Sequence, residues 1–556
     1  MSTTPRAKTS TNDVAATLGR RRWWALATIA LGTALIIMDA TIVNVALPVI
    51  IDDLHLDAAE AEWMNAVYSL VFAALLLVAG RVGDLRGRRL VFAVGIVVFM
   101  AASVAAAAAQ SGATLIGARF AQGVGASMLM PTTLSTMNAL FRGRERGIAF
   151  AVYGSTIGGM AAVGPLVGGW LATDVSWRWA FWLNIPVGLL VIAGIALVIP
   201  ETRDVESAAR LDLLGATLSA LAMGGIVFSL IEGAYYGWWR QPSGTLSPVP
   251  VAVAVGVLAL AAFLWRETQI ERRGGSGLMD LSLFGLPTLR FGIVAAAIVA
   301  FGEFGLMFTL PLLLEGTLGY SALGAGWLLV CLAIGAFLSS GMTHALTQRF
   351  GQRAVVRLGL ALETIAVAGL AWTISLTVAG WVVGAWLAVY GVGVGMATAQ
   401  LSAVILAQVP HTQGGEASGL QSTIRQLGSA LGIAVLGTLL VTSLGSGTEE
   451  RLTAAGMPVA ARERVVELVR GSAGAGIPAL ERSAQTASAA QAAREAMIDA
   501  SRRTTGLAAG ALALGLLATL AIPQIADGSE GAGAEGAGGE EDKDAGGAEG
   551  GTRRRH

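Results

Sequence analysis

An aspartate, an arginine and a glutamate stand where the surrounding sequence offers little but hydrocarbon. Asp39 lies in Ile36-Ile37-Met38-Asp39-Ala40-Thr41, Arg119 in Ile116-Gly117-Ala118-Arg119-Phe120-Ala121-Gln122-Gly123, and Glu303 in Phe301-Gly302-Glu303-Phe304. A charged side chain at the centre of a bilayer costs about 2.5–3.5 kcal/mol or more, so each needs a partner or water. A carboxyl group in such a setting that loads and releases a proton provides what proton coupling requires. Asp39 and Glu303 are the two proton-carrier candidates. Arg119 faces either Asp39 or backbone carbonyls of the first helix. The competing reading of Asp39 is a structural carboxylate held by Thr41, Asn44 or a neighbouring helix. Asp39, Asn44 and Glu303 are also the candidates for lining a substrate cavity. Glu363 and Arg425 read as lying nearer helix ends, within reach of solvent, and Glu232 as an external rim residue.

The elements that must position these groups are long apolar helices. Of 556 residues, 54% are hydrophobic and 13% charged, against about 25% charged in soluble domains. The chain is therefore an all-α polytopic membrane protein. With about 20 apolar residues per crossing, fourteen segments qualify, near 23–50, 61–80, 90–109, 113–138, 147–171, 178–199, 213–232, 249–265, 289–314, 322–343, 354–375, 380–408, 417–443 and 504–524. Arginines cluster on alternate connections (Arg81, Arg86, Arg88 and Arg89; Arg142, Arg144 and Arg146; Arg349, Arg353 and Arg357), whereas the short opposite loops carry Arg178 and Arg240. The positive-inside rule then puts both termini in the cytoplasm.

Composition also excludes. Zero net charge gives no field for nucleic acid. Cys331 is the single cysteine, and the four histidines are scattered without ligand spacing, so no metal centre is expected. The two lysines, Lys8 and Lys543, follow no glycine, so no P-loop exists. No cofactor and no enzymatic activity are expected.

Gly80-Arg81-Val82-Gly83-Asp84-Leu85-Arg86-Gly87-Arg88-Arg89 reads as a short polar loop between the second and third segments. Its glycines permit tight turns. Asp84 stands among the arginines, where it could latch onto the positive N-terminus of a neighbouring helix. Gln348-Arg349-Phe350-Gly351-Gln352-Arg353 is a degraded second copy. Superposing Gly351 on Gly87 also superposes Arg353 on Arg89, Gln348 on Asp84 and Glu303 on Asp39. Weak internal symmetry of this kind marks transporters built from repeats. It divides the chain into a disordered N-terminus (1–22), a six-helix half (23–199), a linker with two additional helices (200–288), a second six-helix half (289–525) and a disordered acidic tail (526–556). The second half contains an external loop (443–503) expected to carry two short surface helices. In the fifth segment, Gly154, Gly158, Gly164-Pro165 and Gly168 set small residues four apart, a spacing that lets helices approach closely.

Together these stretches resemble the major facilitator superfamily, and within it the fourteen-helix drug:proton antiporters. Gly80–Arg89 is similar to the loop motif between helices 2 and 3. Ile116–Gly125 is similar to the helix-4 motif, and Gly154–Gly169 to the antiporter motif of helix 5. Met38–Pro48 and Trp177–Gly188 resemble signatures of the fourteen-helix branch. The resemblance implies alternating access around a central cavity and proton-driven export of hydrophobic or cationic small molecules such as drugs. It implies Asp39 as a protonation site helped by Arg119. Gly80, Gly83, Asp84, Gly87, Arg88 and Arg89 become a conformational latch on the cytoplasmic face. The expected setting is a bacterial plasma membrane and the expected partners are substrate, protons and lipid, with the chain working as a monomer. The alternatives are a metabolite exporter or importer on the same fold, or a non-transporting membrane scaffold.

Overall fold

The computed structural model describes residues 19, 21–141, 143–201, 212–241, 245–273, 281–409, 414–481 and 486–522. The expected disordered termini lie almost wholly outside these residues. Every apolar segment read from the sequence falls on a long helix: α1 (Arg21–Leu54), α2 (Ala58–Arg86), α3 (Arg88–Ala107), α4 (Gly112–Leu140), α5 (Gly143–Trp170), α6 (Asn184–Val198), α7 (Leu213–Tyr236), α8 (Val249–Arg272), α9 (Pro287–Gly316), α10 (Ala322–Phe350), α11 (Gln352–Thr373), α12 (Gly380–Leu406), α13 (Gly414–Ala454) and α14 (Ala487–Leu520). Among the described residues, eleven helices are long and apolar enough to cross a membrane; α2, α4 and α5 are outside that set. The outer surface is apolar, with Leu197, Leu258, Trp372 and Trp381 all largely exposed, as expected where the bilayer is the solvent.

Helix ends follow local chemistry. Asp57 and Glu60 form a capping box at the start of α2, and Ser111 and Thr114 form one at the start of α4. The expected loop 80–89 is instead nearly all helix. α2 continues to Arg86 and α3 begins at Arg88, with Gly87 alone between them at φ +111°. The polar residues 81–86 remain helical because only Gly87 takes a conformation that L side chains resist. Its repeat partner, Gly351, breaks α10 from α11 in the same way at φ +81°. The N–H of Gly87 donates to Gly83 O and that of Gly351 to Thr347 O.

The expected loop 443–503 also proves largely helical. α13 runs to Ala454 and α14 starts at Ala487, so both pass well beyond the predicted ends of their segments. The expected helix at 460–469 is present as Val459–Gly471, whereas that at 480–500 is mostly the first part of α14. Alanine-rich sequence propagates a helix until a breaker stops it, here Gly456-Met457-Pro458. Arg451 ties the two extensions together by pairing with Asp499 and Glu495.

α7 and α8 pack as a hairpin, with α8 the less buried member. Its base is pinned by Asp212, which caps α7 through the Gly215 N–H at 2.9 Å and receives Arg266 of α8 on both carboxylate oxygens at 2.8–3.0 Å. Burial alone would raise the Asp212 carboxyl, but hydrogen bonds from Arg266 and from the backbone hold it below the usual aspartate range.

Two outcomes follow for stability. The Asp212–Arg266 contribution is fully present above the ordinary aspartate pKa of about 3.9 and is lost as pH falls through the lower native value. Asp212→Asn is expected to abolish that acid-side dependence, as read by thermal unfolding of the purified protein against pH. Gly87→Ala forces a side chain into a strained backbone and into the Glu201 carboxylate, which would stand 2.4 Å from the new Cβ. It is expected to cost about 1–3 kcal/mol from the backbone alone, and more than Gly351→Ala, whose Cβ would meet open space.

Candidate functional site

The apolar stretch of α1 places Asp39 on the face that α4 covers, and the two charges found in those segments meet. Arg119 Nη1 donates to Asp39 Oδ2 at 2.6 Å, and both side chains are excluded from solvent, at 1% and 0% exposure. The guanidinium also donates from Nε to Met64 O of α2 at 3.3 Å and lies over the Tyr68 ring, 4.3 Å from its centroid. The other carboxylate oxygen, Oδ1, accepts from Gln122 Nε2 at 3.0 Å and from Asn184 Nδ2 at 2.8 Å. Both amides in turn donate to Ser103 Oγ, whose hydroxyl donates to Phe99 O. Donors from α4 and α6 thus reach both of its oxygens, with one full positive charge among them.

Sequence reading brought Asp39 and Arg119 together as one of two options and missed the rest of the shell. Gln122 lies one turn beyond Arg119 and Asn184 opens α6, in stretches singled out for other reasons. The spacing of Gln122, three residues after Arg119, puts the two on one side of α4; Asn184 shares its helix with no charge and gave no such signal. Thr41 takes no part, since its hydroxyl donates to Ile37 O and Met38 O. Asn44 is half-buried and, at about 100° per residue, lies some 140° round the helix from Asp39.

Glu303 lies in α9, one-sixth exposed, with its carboxylate 3.4 Å from Arg425 Nη2 of α13. Glu363 and Arg425 do not sit near helix ends as expected. Glu363 is in the middle of α11 and wholly buried, because the face it shares with Val356, Leu360 and Val367 packs inward. Glu232, expected at the external rim, lies four residues before the end of α7, half-buried, and its carboxylate accepts from Trp63 Nε1 at 2.8 Å.

The glycines of α5 lie where two packings coincide. A Cβ added at Gly164 would stand 1.8 Å from Thr41 Oγ1, and one at Gly168 2.9 Å from the Cα of Ile42, so α5 rests directly on α1 next to Asp39. One residue on from each, Pro165 and Gly169 meet the backbone of Gly326 and Ala322 in α10, and in the next turn the Leu323 N–H donates to Thr173 Oγ1 at 3.0 Å. Gly154 and Gly158 lie on the same helix, but their surroundings fall outside the described residues. The same end of the bundle carries a second seam, between α2 and α13. There the buried Glu62 meets Thr438 Oγ1 at 3.2 Å, and Ser69 lies 3.4 Å from Ser429.

At the α2–α3 junction the Asp84 side chain falls outside the described residues. Among the described residues, a carboxylate beside the N-terminus of α3 is that of Glu201, which follows α6. Its Oε1 accepts from the Arg89 N–H at 3.4 Å, while Arg89 Nη2 donates to Ala196 O in the last turn of α6 at 2.9 Å. Each helix thus supplies a partner for the other's unsatisfied end. Gly80 and Gly83 let α4 close in, with Pro131 Cβ and Thr132 Cγ2 3.4 and 3.2 Å from where their Cβ atoms would be.

Breaking one side of the buried pair isolates a charge. Arg119→Ala is expected to destabilise the protein by about 3–5 kcal/mol. The double variant Asp39→Asn/Arg119→Met should recover most of that loss, a coupling that a double-mutant cycle on thermal unfolding reads directly.

The Major Facilitator Superfamily model matches residues 29–433. A probable actinorhodin transporter of Streptomyces coelicolor is 34% identical over 437 residues, which is 77% of this chain and 74% of that protein. A puromycin resistance protein of Streptomyces alboniger is 36% identical over 75% of this chain and 82% of its own length. A multidrug efflux pump of Mycolicibacterium smegmatis is 32% identical over 77% and 83%. Among solved structures, a bacterial homologue of the human lysosomal transporter Spinster, inward-facing and unoccupied, superposes with a TM-score of 0.58. It is 18% identical and covers 90% of this chain and 97% of that one. On this evidence the chain is a multi-pass membrane transporter and belongs to the major facilitator superfamily.

Proposed function

We propose that this protein is a proton-coupled antiporter that exports hydrophobic or cationic small molecules such as antibiotics from a bacterial cell. The observation that carries the reading is the Asp39–Arg119 pair, sealed from solvent with an amide shell in the N-terminal half of a superfamily transporter. That its relatives are named as a probable actinorhodin transporter, a puromycin resistance protein and a multidrug efflux pump supports the substrate class. In this reading the chain crosses the plasma membrane fourteen times, as two six-helix halves (23–199 and 289–525) with α7 and α8 inserted between them (200–288). Both termini are cytoplasmic and a single copy is the working unit.

Asp39 takes a proton from outside, which removes its claim on Arg119 and favours one orientation of the halves; release to the cytoplasm restores the pair. Glu303, in the equivalent place of the second half, is the other proton carrier. Asp39, Asn44 and Glu303 contribute to the substrate cavity. Gly80, Gly83, Asp84, Gly87, Arg88 and Arg89 act as the cytoplasmic latch. The α5 face of Gly154, Gly158, Gly164, Pro165 and Gly168 is the surface on which the halves rock. No cofactor is needed because the proton gradient is the energy source. One proton gains about 2.3 kcal/mol per 100 mV and about 1.4 kcal/mol per pH unit. The sum of about 3.7 kcal/mol sustains a gradient of a neutral substrate of several hundredfold.

Energised inside-out vesicles test the reading. Cationic or neutral aromatic compounds are expected to collapse the proton gradient with the wild-type protein and not with Asp39→Asn. Glu303→Gln should reduce the protons moved per substrate. A gradient that no compound disturbs in the wild type would refute drug export. Gly168→Ala, which drives a methyl group into the α1 backbone, is expected to slow transport with little change in apparent substrate affinity.

A further inference from the structure

In the second half, Glu303 and Glu363 stand near one cation, Arg425. Glu363 is wholly excluded from solvent, eleven residues from the start of α11 and ten from its end, so about 15 Å of helix separates it from either terminus. Neither of its carboxylate oxygens has a hydrogen-bond partner among the described residues. The α12 backbone clamps its stem, leaving only 2.7 Å between Glu363 Cγ and a Cβ added at Gly393. The charged and titratable groups that face it are Glu303 of α9, Arg425 of α13 and Tyr390 of α12. Arg425 is committed to Glu303. Tyr390 is buried too, and its hydroxyl likewise has no partner among the described residues.

A bare carboxylate in such a place is far more costly than the neutral acid, and a buried acid without a counter-charge takes up a proton instead. The Asp39 site balances one acid against one base; here two acids share one base. We propose that Glu363 is a proton-binding site of the second half, which carries its proton while Arg425 pairs with Glu303 and gives it up when Arg425 turns to it. In that second arrangement the carboxylate accepts from the guanidinium, with the Tyr390 hydroxyl as a further donor within electrostatic reach. The O–H bond of Glu363 breaks and the proton passes to water, which reaches the partly exposed Glu303–Arg425 pair. No other bond changes. The inference deepens the antiporter reading and rests on it only for the use to which the proton is put.

The test is infrared spectroscopy of the full-length protein in lipid nanodiscs, without substrate, in H2O and D2O. The wild type is expected to show the C=O band of a protonated carboxylic acid at neutral pH, shifted by deuteration. Glu363→Gln should remove one carboxyl's share of it, since the buried Glu62 and the half-buried Glu315 stand to contribute too, and Asp39→Asn should leave it whole. An unchanged band in Glu363→Gln overturns the proposal. Should that variant not fold, Glu363→Asp is expected to move the band, and an unmoved band overturns the proposal equally. In energised vesicles Glu363→Gln should move fewer protons per substrate than the wild type, and an unaltered ratio would remove Glu363 from coupling. Because the band is read without substrate, failure of drug export would leave this result standing on its own.

Discussion

A charge cannot remain alone in hydrocarbon, and the N-terminal half is arranged around that constraint. The Asp39 carboxylate, in the middle of α1, and the Arg119 guanidinium, two turns into α4, sit without solvent, where either alone would be among the costliest groups in the chain. Their pairing requires α1 and α4 to lie side by side at one register. The remaining valences then require α6 to present Asn184, α3 to present Ser103 and α2 to present a backbone carbonyl. Five helices are thus fixed relative to one carboxyl group by hydrogen bonds rather than by apolar packing, which in a bilayer discriminates poorly between one neighbour and another.

The glycines of α5 belong to the same arrangement. Gly164 and Gly168 bring α5 onto α1 within a few residues of Asp39, and the residue after each meets the α10 backbone. A change of charge at Asp39 is therefore separated from the other half by one helix and two backbone contacts. That short path offers a physical route for coupling, since close-packed backbones have few ways to absorb a displacement except by moving together.

The sequence reading succeeded where one residue breaks a strong pattern. Asp39 and Arg119 interrupt apolar runs, and long apolar runs have a single helical solution in a membrane. Chain breaks were harder. Gly87 and Gly351 are the real breaks in their stretches, while the neighbouring glycines stay helical, because a glycine permits a turn but does not oblige one. Polar sequence in 443–503 read as a loop, yet its alanines carry helices well clear of the apolar segments. The shell around Asp39 and the burial of Glu363 were hidden for another reason. An amide or a carboxylate within a helix gives no local sign of which face it lies on, and only the packing of all the helices decides.

In the proposed reading of two halves with α7 and α8 inserted between them, the place of α7 has a consequence for what can pass between the halves. Thr438 of α13, already in contact with Glu62 of α2, also donates to Leu230 O of α7 at 3.1 Å, and Glu232 of α7 holds Trp63 of α2. The added helix therefore lies across the α2–α13 seam like a batten over a joint. A molecule dissolved in the surrounding lipid finds no open crevice there. Among the described residues the seam between α5 and α10 has no such third helix across it, and is closed by their backbones and by Thr173, which accepts from Leu323. The two seams are thus unequally covered towards the membrane, and in the export reading proposed above the glycine seam is the side on which a lipid-borne substrate meets two helices rather than three.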